Sequence, residues 1–390
     1  QEYYGFFDLD GRSLESAFGL NAPPESLSDI GLTEIDKLVF EPDESRLLLA
    51  FADWIKERDP DLITAWNGDG FDFPYLIQRM QKIGLEPSRL SREGQAYTKR
   101  NGQPVVVGRT FYDSLVVLKA NTWGELRSYS LNNVALDVLG EEKLDHGQSI
   151  YTLWRDDPAT LLEYNGRDVR LNVEINEAED VIGFRDALRK EVGVDFEDSI
   201  NASDFAEMSA RRKLHDWGVV GPTKVYRKKG QKYEGGFVLD PFTGVAENVV
   251  GMDLASLYPM TMRMLNSSPE TKVGPDFDGP VAEAPNGVRF RLDRDGLFRE
   301  LVDDALALKK GYKKLKNAAE DAVERKYFTV KYNVSKTITN SYYGVLGWAN
   351  FFLYDEEVAE AVTTMGQSVI KKTQAYIGEA SDVVVIYGDT

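Results

Sequence analysis

Residues 250–260 read VGMDLASLYPM, and residues 336–347 read KTITNSYYGVLG. In the first stretch, apolar or small residues lead to Asp253, and the chain then turns through Ser256, Leu257, Tyr258 and Pro259. The pattern predicts Asp253 on a buried strand. A carboxylate buried without a partner is costly, so a metal ion or a hydrogen-bonded turn must compensate it. Backbone N–H groups in the same turn can cradle phosphate oxygens. The second stretch lies on the later arm of a helical pair predicted over about 297–344. Lys309, Lys313 and Lys316 recur at helical spacing on the first arm, and Lys336, Asn340 and Tyr343 on the second. Ammonium groups brought together from two helices repel unless an anion lies between them, and a triphosphate is an anion of suitable size. A solvated face is the commoner meaning of clustered lysines and suits Lys310 and Lys314. Tyr258 taken alone would read as a core aromatic.

Beyond these two stretches, residues 383–390 read VVVIYGDT, an apolar strand ending in Tyr387, Gly388 and Asp389. A Gly-Asp after a strand is often only a turn. Beside Asp253, Asp389 would complete a carboxylate pair able to hold two metals. Nearer the N-terminus, residues 64–76 read TAWNGDGFDFPYL, which places Asn67, Phe71 and Asp72 where an apolar strand ends and a helix begins. Ligands sit at such strand ends in α/β sheets. Residues 163–171 read EYNGRDVRL, so Tyr164 and Asp168 share a helix face at i and i+4. Magnesium prefers carboxylate oxygens and retained waters, and two such ions can clamp the attacking and leaving oxygens of a phosphodiester. Asp72 and Asp168 are candidate ligands. The plainer alternatives are that Asp72 caps the following helix and that Tyr164 is a half-buried core residue.

The 390 residues suffice for two or three domains with their own cores. With 42% hydrophobic and 28% charged residues, the composition excludes disorder and low-complexity fibre. There is no cysteine and there are only two histidines, His146 and His215, so catalysis must rest on carboxylates, lysines and hydroxyls. No apolar run approaches the ~20 residues that cross a bilayer, and no signal-peptide pattern opens the chain, which reads as cytoplasmic without a membrane partner. The formal net charge of −18 argues against a polyanionic partner unless the local field at a site is reversed. Surplus surface acid also suits strong salt, where the Debye length shrinks to ~3 Å at 1 M, and a halophilic source is expected.

Changes of pattern divide the chain into an α/β region over 1–186, a helical connector over 187–245, and a third region in which the helical pair interrupts strands. Strands are predicted at 37–40, 62–66, 105–111 and 383–387. Helices are predicted at 45–58, 73–83, 130–139, 158–178, 204–217 and 357–377.

In this order and at these separations the motifs resemble those of family B DNA polymerases, especially the archaeal replicative type, over nearly the whole chain. NGDGFD resembles the second exonuclease motif, YNGRD the third, and YEGG, with Tyr233, Gly235 and Gly236, the linker that couples editing to synthesis. DLASLYP resembles polymerase motif A, KTITNSYYG motif B, and YGDT the start of motif C. The resemblance implies a multidomain α/β and α+β fold. A ribonuclease-H-like 3′-5′ exonuclease domain (1–186) would be followed by the connector and YxGG linker (187–245). An incomplete polymerase palm (246–296 and 346–390) would then be interrupted by helical fingers (297–345). It further implies two magnesium ions per active site. Asp253 and Asp389 would be metal ligands for synthesis, and Asp72 and Asp168 for editing, with Tyr164 orienting the attacking water. Tyr258 would exclude a ribose 2′-hydroxyl, with Ser256 and Leu257 in the same substrate-binding turn. Lys336, Asn340, Lys313 and Lys309 would hold the incoming deoxynucleoside triphosphate, and Tyr343 and Gly344 would border the nascent base pair. Asn67 and Phe71 would grip the frayed primer end, since stacking on an aromatic ring suits single strands. Primer-template DNA and deoxynucleotides are the implied partners, with a sliding clamp engaged through regions outside this chain.

The sequence departs from the family pattern in three places. Lys309 stands where an arginine is common, a point charge instead of a bidentate fork. The Asp-x-Glu of the first exonuclease motif would fall just before Gln1, and Asp8 and Asp10 read as a later hairpin turn. The second aspartate of motif C would follow Thr390, as would the thumb. The chain is therefore expected to be a fragment that neither extends nor degrades DNA alone. A gene fragment, a split subunit and an intein-flanked segment all account for the break after YGDT. Two other classes fit parts of the sequence: an inactivated paralogue serving as a DNA-binding scaffold, which intact Asp253, Lys336 and Asp72 oppose, and a stand-alone exonuclease, which leaves motif B without a purpose.

Overall fold

The computed structural model describes residues 2–389 other than 101, 122–125, 146, 226–234, 241, 381 and 382. Tyr233 of the expected linker, His146 and Thr390 lie outside the described residues. The chain divides into two units, Gln1–Arg185 and Asp186–Thr390.

The first unit alternates strand and helix. Its strands are β1 (Tyr4–Asp8), β2 (Lys37–Glu41), β3 (Leu62–Ala65), β4 (Ala96–Thr98), β5 (Pro104–Val106) and β6 (Thr110–Asp113). Its helices are α1 (Leu14–Phe18), α2 (Glu44–Arg58), α3 (Asp72–Lys82), α4 (Ser114–Asn121), α5 (Leu131–Leu139), α6 (Ile150–Asp156) and α7 (Pro158–Glu179), and α8 (Val181–Val192) carries the division between the units. The helix ends follow from short polar caps. Asp43 accepts the Arg46 amide ahead of α2, Ser130 that of Asn133 ahead of α5, and Asp157 that of Thr160 ahead of α7, which opens on Pro158. Two parallel pairs carry the layer: β1 with β2, Tyr4 opposite Lys37, and β3 with β6, Leu62 opposite Thr110 and Ala65 opposite Asp113. Residues 105–111, expected as one strand, form parts of β5 and β6, because Gly108 takes a positive φ and turns the chain between them. One core cluster joins Leu48 and Ala52 of α2 to Ile77 and Met80 of α3 and Val106 of β5; another joins Phe7 of β1 to Ile35 and Leu162 of α7.

The second unit continues with α9 (Ala202–Asp216), α10 (Leu257–Leu265) and a small antiparallel sheet of order β7-β9-β8: β7 (Lys272–Val273), β8 (Val281–Glu283) and β9 (Arg289–Arg291). The long hairpin of α11 (Leu297–Ala318) and α12 (Ala322–Leu346) follows, then α13 (Glu356–Ala380). Asp321 accepts the Glu324 amide and restarts the helix after the turn. Phe298 of α11, Tyr342 of α12 and Phe351 meet edge-on or tilted in the core. Lys213 of α9 reaches Glu300 and Asp304 of α11 at 2.9 and 2.8 Å, which ties the connector helix to the base of the hairpin.

Two expected strands do not form. Residues 250–256 belong to no strand, and Asp253 is exposed instead of buried; residues 383–388 carry no strand either. A strand exists only as one side of a ladder. The later segment gives its backbone partners to residues just after the YxGG stretch: Leu239 N–H donates to the Gly388 carbonyl at 2.7 Å and Phe242 N–H to that of Ile386 at 3.2 Å, with an isolated bridge between Val238 and Asp389. Among the described residues, 250–256 have no ladder partner. Their apolar side chains, Met252 among them, face solvent.

Candidate functional site

In the second unit, Ser256 stands in the left-handed region at φ +60°, which reverses the chain ahead of α10 and puts Leu257 and Tyr258 in its first turn. The Tyr258 ring stacks on Tyr343 of α12, with centroids 4.4 Å apart and planes 13° from parallel. Behind it lies Gly366 of α13, where an added Cβ would stand 3.2 Å from the Tyr258 ring. Lys309 of α11 donates to Ser256 Oγ at 2.9 Å. Three helices, α10, α11 and α12, thus bring one turn, one tyrosine pair and Lys309 together. Lys336 and Tyr343 are half-buried, and Asn340, Gly344 and Lys313 are exposed; so are Lys310 and Lys314, the two read as solvated. Asp389 accepts the Tyr387 hydroxyl at 2.9 Å. Among the described residues no hydrogen bond, ion pair or ladder joins Asp253 to Asp389. Gly235 of the linker is described, and its carbonyl accepts the Gln367 amide of α13 at 2.8 Å; Gly236 is described beside it.

In the first unit, β3 runs through Trp66 into the loop carrying Asn67, which takes φ +64°. The loop folds back on itself: Gly70 and Phe71 N–H both donate to the Asn67 carbonyl, each at 3.1 Å, and Phe73 N–H to that of Gly68 at 3.0 Å. Phe71 holds the position ahead of α3 without a side-chain cap, so Asp72 is the first helical residue, not the cap. Phe71 is 61% exposed and stacks on Tyr75 one turn later, at 5.5 Å and 12°. Partial desolvation pushes the Asp72 carboxyl above its ordinary range; its own backbone amide opposes this and Asp113 adds to it. On α7, Tyr164 and Asp168 are half-buried on one face, as the i, i+4 spacing requires. Lys143, which no sequence motif singled out, donates to Asp168 Oδ2 at 2.6 Å and lies 4.9 Å from the Tyr164 ring centroid. Burial pulls its ammonium pKa down, and hydrogen bonds to Asp168 and Tyr164 more than reverse this. No hydrogen bond or ion pair joins Asp72 to Asp168 among the described residues.

The residues read as metal ligands are all carboxylates, the hard oxygen donors that magnesium takes. Asp168 Oδ1 is buried without a hydrogen-bond partner, the condition of an acceptor whose partner is a cation. No group of three or more acidic or imidazole side chains converges among the described residues. The expected carboxylate sets are thus represented singly, by Asp168 with its orphan oxygen, by Asp72 at the loop, and by Asp253 and Asp389 at the surface.

Two models of one family match this chain, one in each unit's sequence. The model for DNA polymerase family B matches residues 208–390, and that for the exonuclease domain of DNA polymerase family B matches residues 20–134. The chain belongs to DNA polymerase family B. Among its relatives are a DNA polymerase of Archaeoglobus fulgidus, 31% identical over 389 residues, covering 96% of this chain and 48% of that protein, and one of a Desulfurococcus species, 30% identical over 361 residues and covering 89% and 46%. The family B DNA polymerase of the hyperthermophilic archaeon Pyrobaculum calidifontis has a similar structure, with a TM-score of 0.74 at 28% identity over 89% of this chain and 46% of that one. The chain spans about half the length of the relatives it matches. Tyr164 and Asp168 lie beyond the residues matched by the exonuclease-domain model.

Proposed function

We propose that the protein to which this chain contributes extends a DNA primer on a template and edits its own product from the 3′ end, with this chain supplying most of the editing domain, the fingers and part of the palm. The observation that carries the reading is the stack of Tyr258 on Tyr343, which joins the turn after Asp253 to the helix carrying Lys336 and Asn340. In synthesis, Lys309, Lys313, Lys336 and Asn340 hold the triphosphate of the incoming nucleotide, and Tyr258, backed by Tyr343 and Gly366, fills the space a 2′-hydroxyl would need. The primer 3′-hydroxyl gives up its proton to water, its oxygen bonds the α-phosphorus as the bond from that phosphorus to the α–β bridging oxygen breaks, and pyrophosphate leaves. Asp253 and Asp389 are the palm carboxylates that would hold magnesium, which when bound lowers the pKa of the attacking hydroxyl and neutralises charge on the leaving group.

In editing, Phe71 and Tyr75 offer a ring face to an unpaired base and Asn67 a polar contact to the strand end. Asp72 and Asp168 would hold the divalent ions, Lys143 fixes Asp168 by donating to its Oδ2, and Tyr164 orients the attacking water. Tyr233, Gly235 and Gly236 couple the two activities. Replacing Asp253 by alanine in the full protein separates them: templated extension falls by at least about a thousandfold, the scale of losing a catalytic charge partner, while 3′-end degradation persists. Persistence of both activities overturns the polymerase assignment. An inactivated scaffold would show neither activity before substitution.

A further inference from the structure

Residues 66–71, the loop that leads into Asp72, have no regular secondary structure of their own, yet one buried carboxylate holds them. Asp113 is the last residue of β6, opposite Ala65 of β3, and is 2% exposed. Its Oδ1 accepts the amides of Leu115 at 2.9 Å and Val116 at 3.3 Å, which closes the first turn of α4, and the amide of Asn67 at 3.2 Å. Its Oδ2 accepts the amide of Asp69 at 3.0 Å. Four N–H donors on one carboxylate compensate its burial without a cation, which fixes both the helix start and the loop to one point of the sheet. The far side of the loop is fixed by packing, because Phe73 stacks on Phe111 of β6 at 4.2 Å and leaves no room for a Cβ at Gly68, which would stand 2.5 Å from the Phe73 ring.

We propose that Asp113 is a positioning residue of the editing site: by holding the Asn67 and Asp69 amides it sets the backbone from which Asn67, Phe71 and Asp72 face the strand end. The proposal rests on the nuclease reading of that loop. Asn67 stands in the left-handed region, and the hydrogen bonds that tie its amide and that of Asp69 to β6 are those of Asp113.

The test is residue-resolved amide hydrogen exchange on the 390-residue chain, combined with binding of a fluorescent single-stranded oligothymidylate. In Asp113→Asn the amide oxygen can keep the three donors now on Oδ1, and the –NH2 group then faces the Asp69 N–H. Exchange at Asp69 is expected to speed up about tenfold or more, with Leu115 and Val116 changing by less than about threefold. Asp113→Ala should accelerate all four amides and weaken oligothymidylate binding further than Asp113→Asn, so the conservative variant rescues in part. Asn67→Gly, which keeps access to the positive φ, should weaken binding without changing exchange at Asp69. Equal Asp69 exchange in Asp113→Asn and the unaltered chain overturns the role of Asp113. So does exchange at Asp69 in the unaltered chain as fast as in an unstructured peptide, a result that needs no variant. If the exchange pattern is as expected but the unaltered chain binds no oligothymidylate, the nuclease reading fails, and with it the site that Asp113 would serve.

Discussion

Tyr342 and Tyr343 are neighbours on α12 with opposite fates, because successive helical side chains point about 100° apart. Tyr343 lies against Tyr258, whereas Tyr342 is 3% exposed beside Phe298, and burial pushes its hydroxyl up to about 12 against a hydrogen bond with Ser209 that pulls the other way. A folded pKa raised above the unfolded value means the fold favours the neutral phenol. Its contribution is fully present below pH 10 and is lost as pH rises from about 10 to about 12, a loss of roughly 3 kcal/mol. Urea midpoints between pH 8 and 11.5 should therefore fall more steeply in the unaltered chain than in Tyr342→Phe. Equal slopes would contradict this account of the burial. The pair also shows what sequence can and cannot tell at this scale. Spacing picked out Tyr343 and Lys309, because each lies one helical repeat from another marked residue. It passed over Lys143, whose partner Asp168 is on α7 and whose own position before α6 carries no periodicity. Asp113 did carry a signal, an Asp-Ser at the end of an apolar strand and ahead of a helix. What the sequence lacked was its second set of donors, which comes from a loop 44 and 46 residues away.

Helices were legible because their determinants are local: a cap, an apolar face at 3.6-residue spacing, a terminating turn. The helical pair expected over 297–344 is α11 and α12, interrupted where Asp321 restarts the chain. Removing that cap isolates the contribution of the turn. Asp321→Ala should lower unfolding stability by about 1 kcal/mol, and Asp321→Ser, which can still accept the Glu324 amide, by a few tenths at most. Chemical denaturation of both variants checks the difference, and equal losses would show that Asp321 acts through something other than its cap. Strands fared differently. Residues 250–256 and 383–388 have the apolar pattern of strands, but which segment pairs with which is decided far along the chain. The later segment pairs with Val238, Leu239 and Phe242, so no periodicity within 250–256 could have announced that it has no ladder partner among the described residues. The motif residues on that segment were readable; their backbone conformation was not.

At the scale of the whole molecule the charge of −18 opposes a polyanionic partner, and this opposition has a measurable consequence. Self-repulsion among exposed carboxylates destabilises the folded chain at low ionic strength, and screening relieves it as the Debye length falls from ~10 Å at 0.1 M to ~3 Å at 1 M. Many acids are already tied locally, as in Arg92 with Asp59 and Asp61, and such pairs weaken in salt, so the net effect measures the unpaired surplus. Raising potassium chloride from 0.1 to 1 M should lift the thermal midpoint, by about 3 °C for each kcal/mol of repulsion removed in units of this size. Reversing the charge of several exposed acids outside the ion pairs, Asp276 and Asp278 among them, should flatten that slope. A midpoint indifferent to chloride but raised by sulfate would assign the effect to solvent exclusion from apolar surface, not to screening. DNA should respond in the opposite sense: oligonucleotide binding through a few lysines falls with log salt at a slope set by the number of phosphates neutralised. A chain whose fold tightens while its grip on DNA loosens over the same salt range separates the field of the surface from the field of the site.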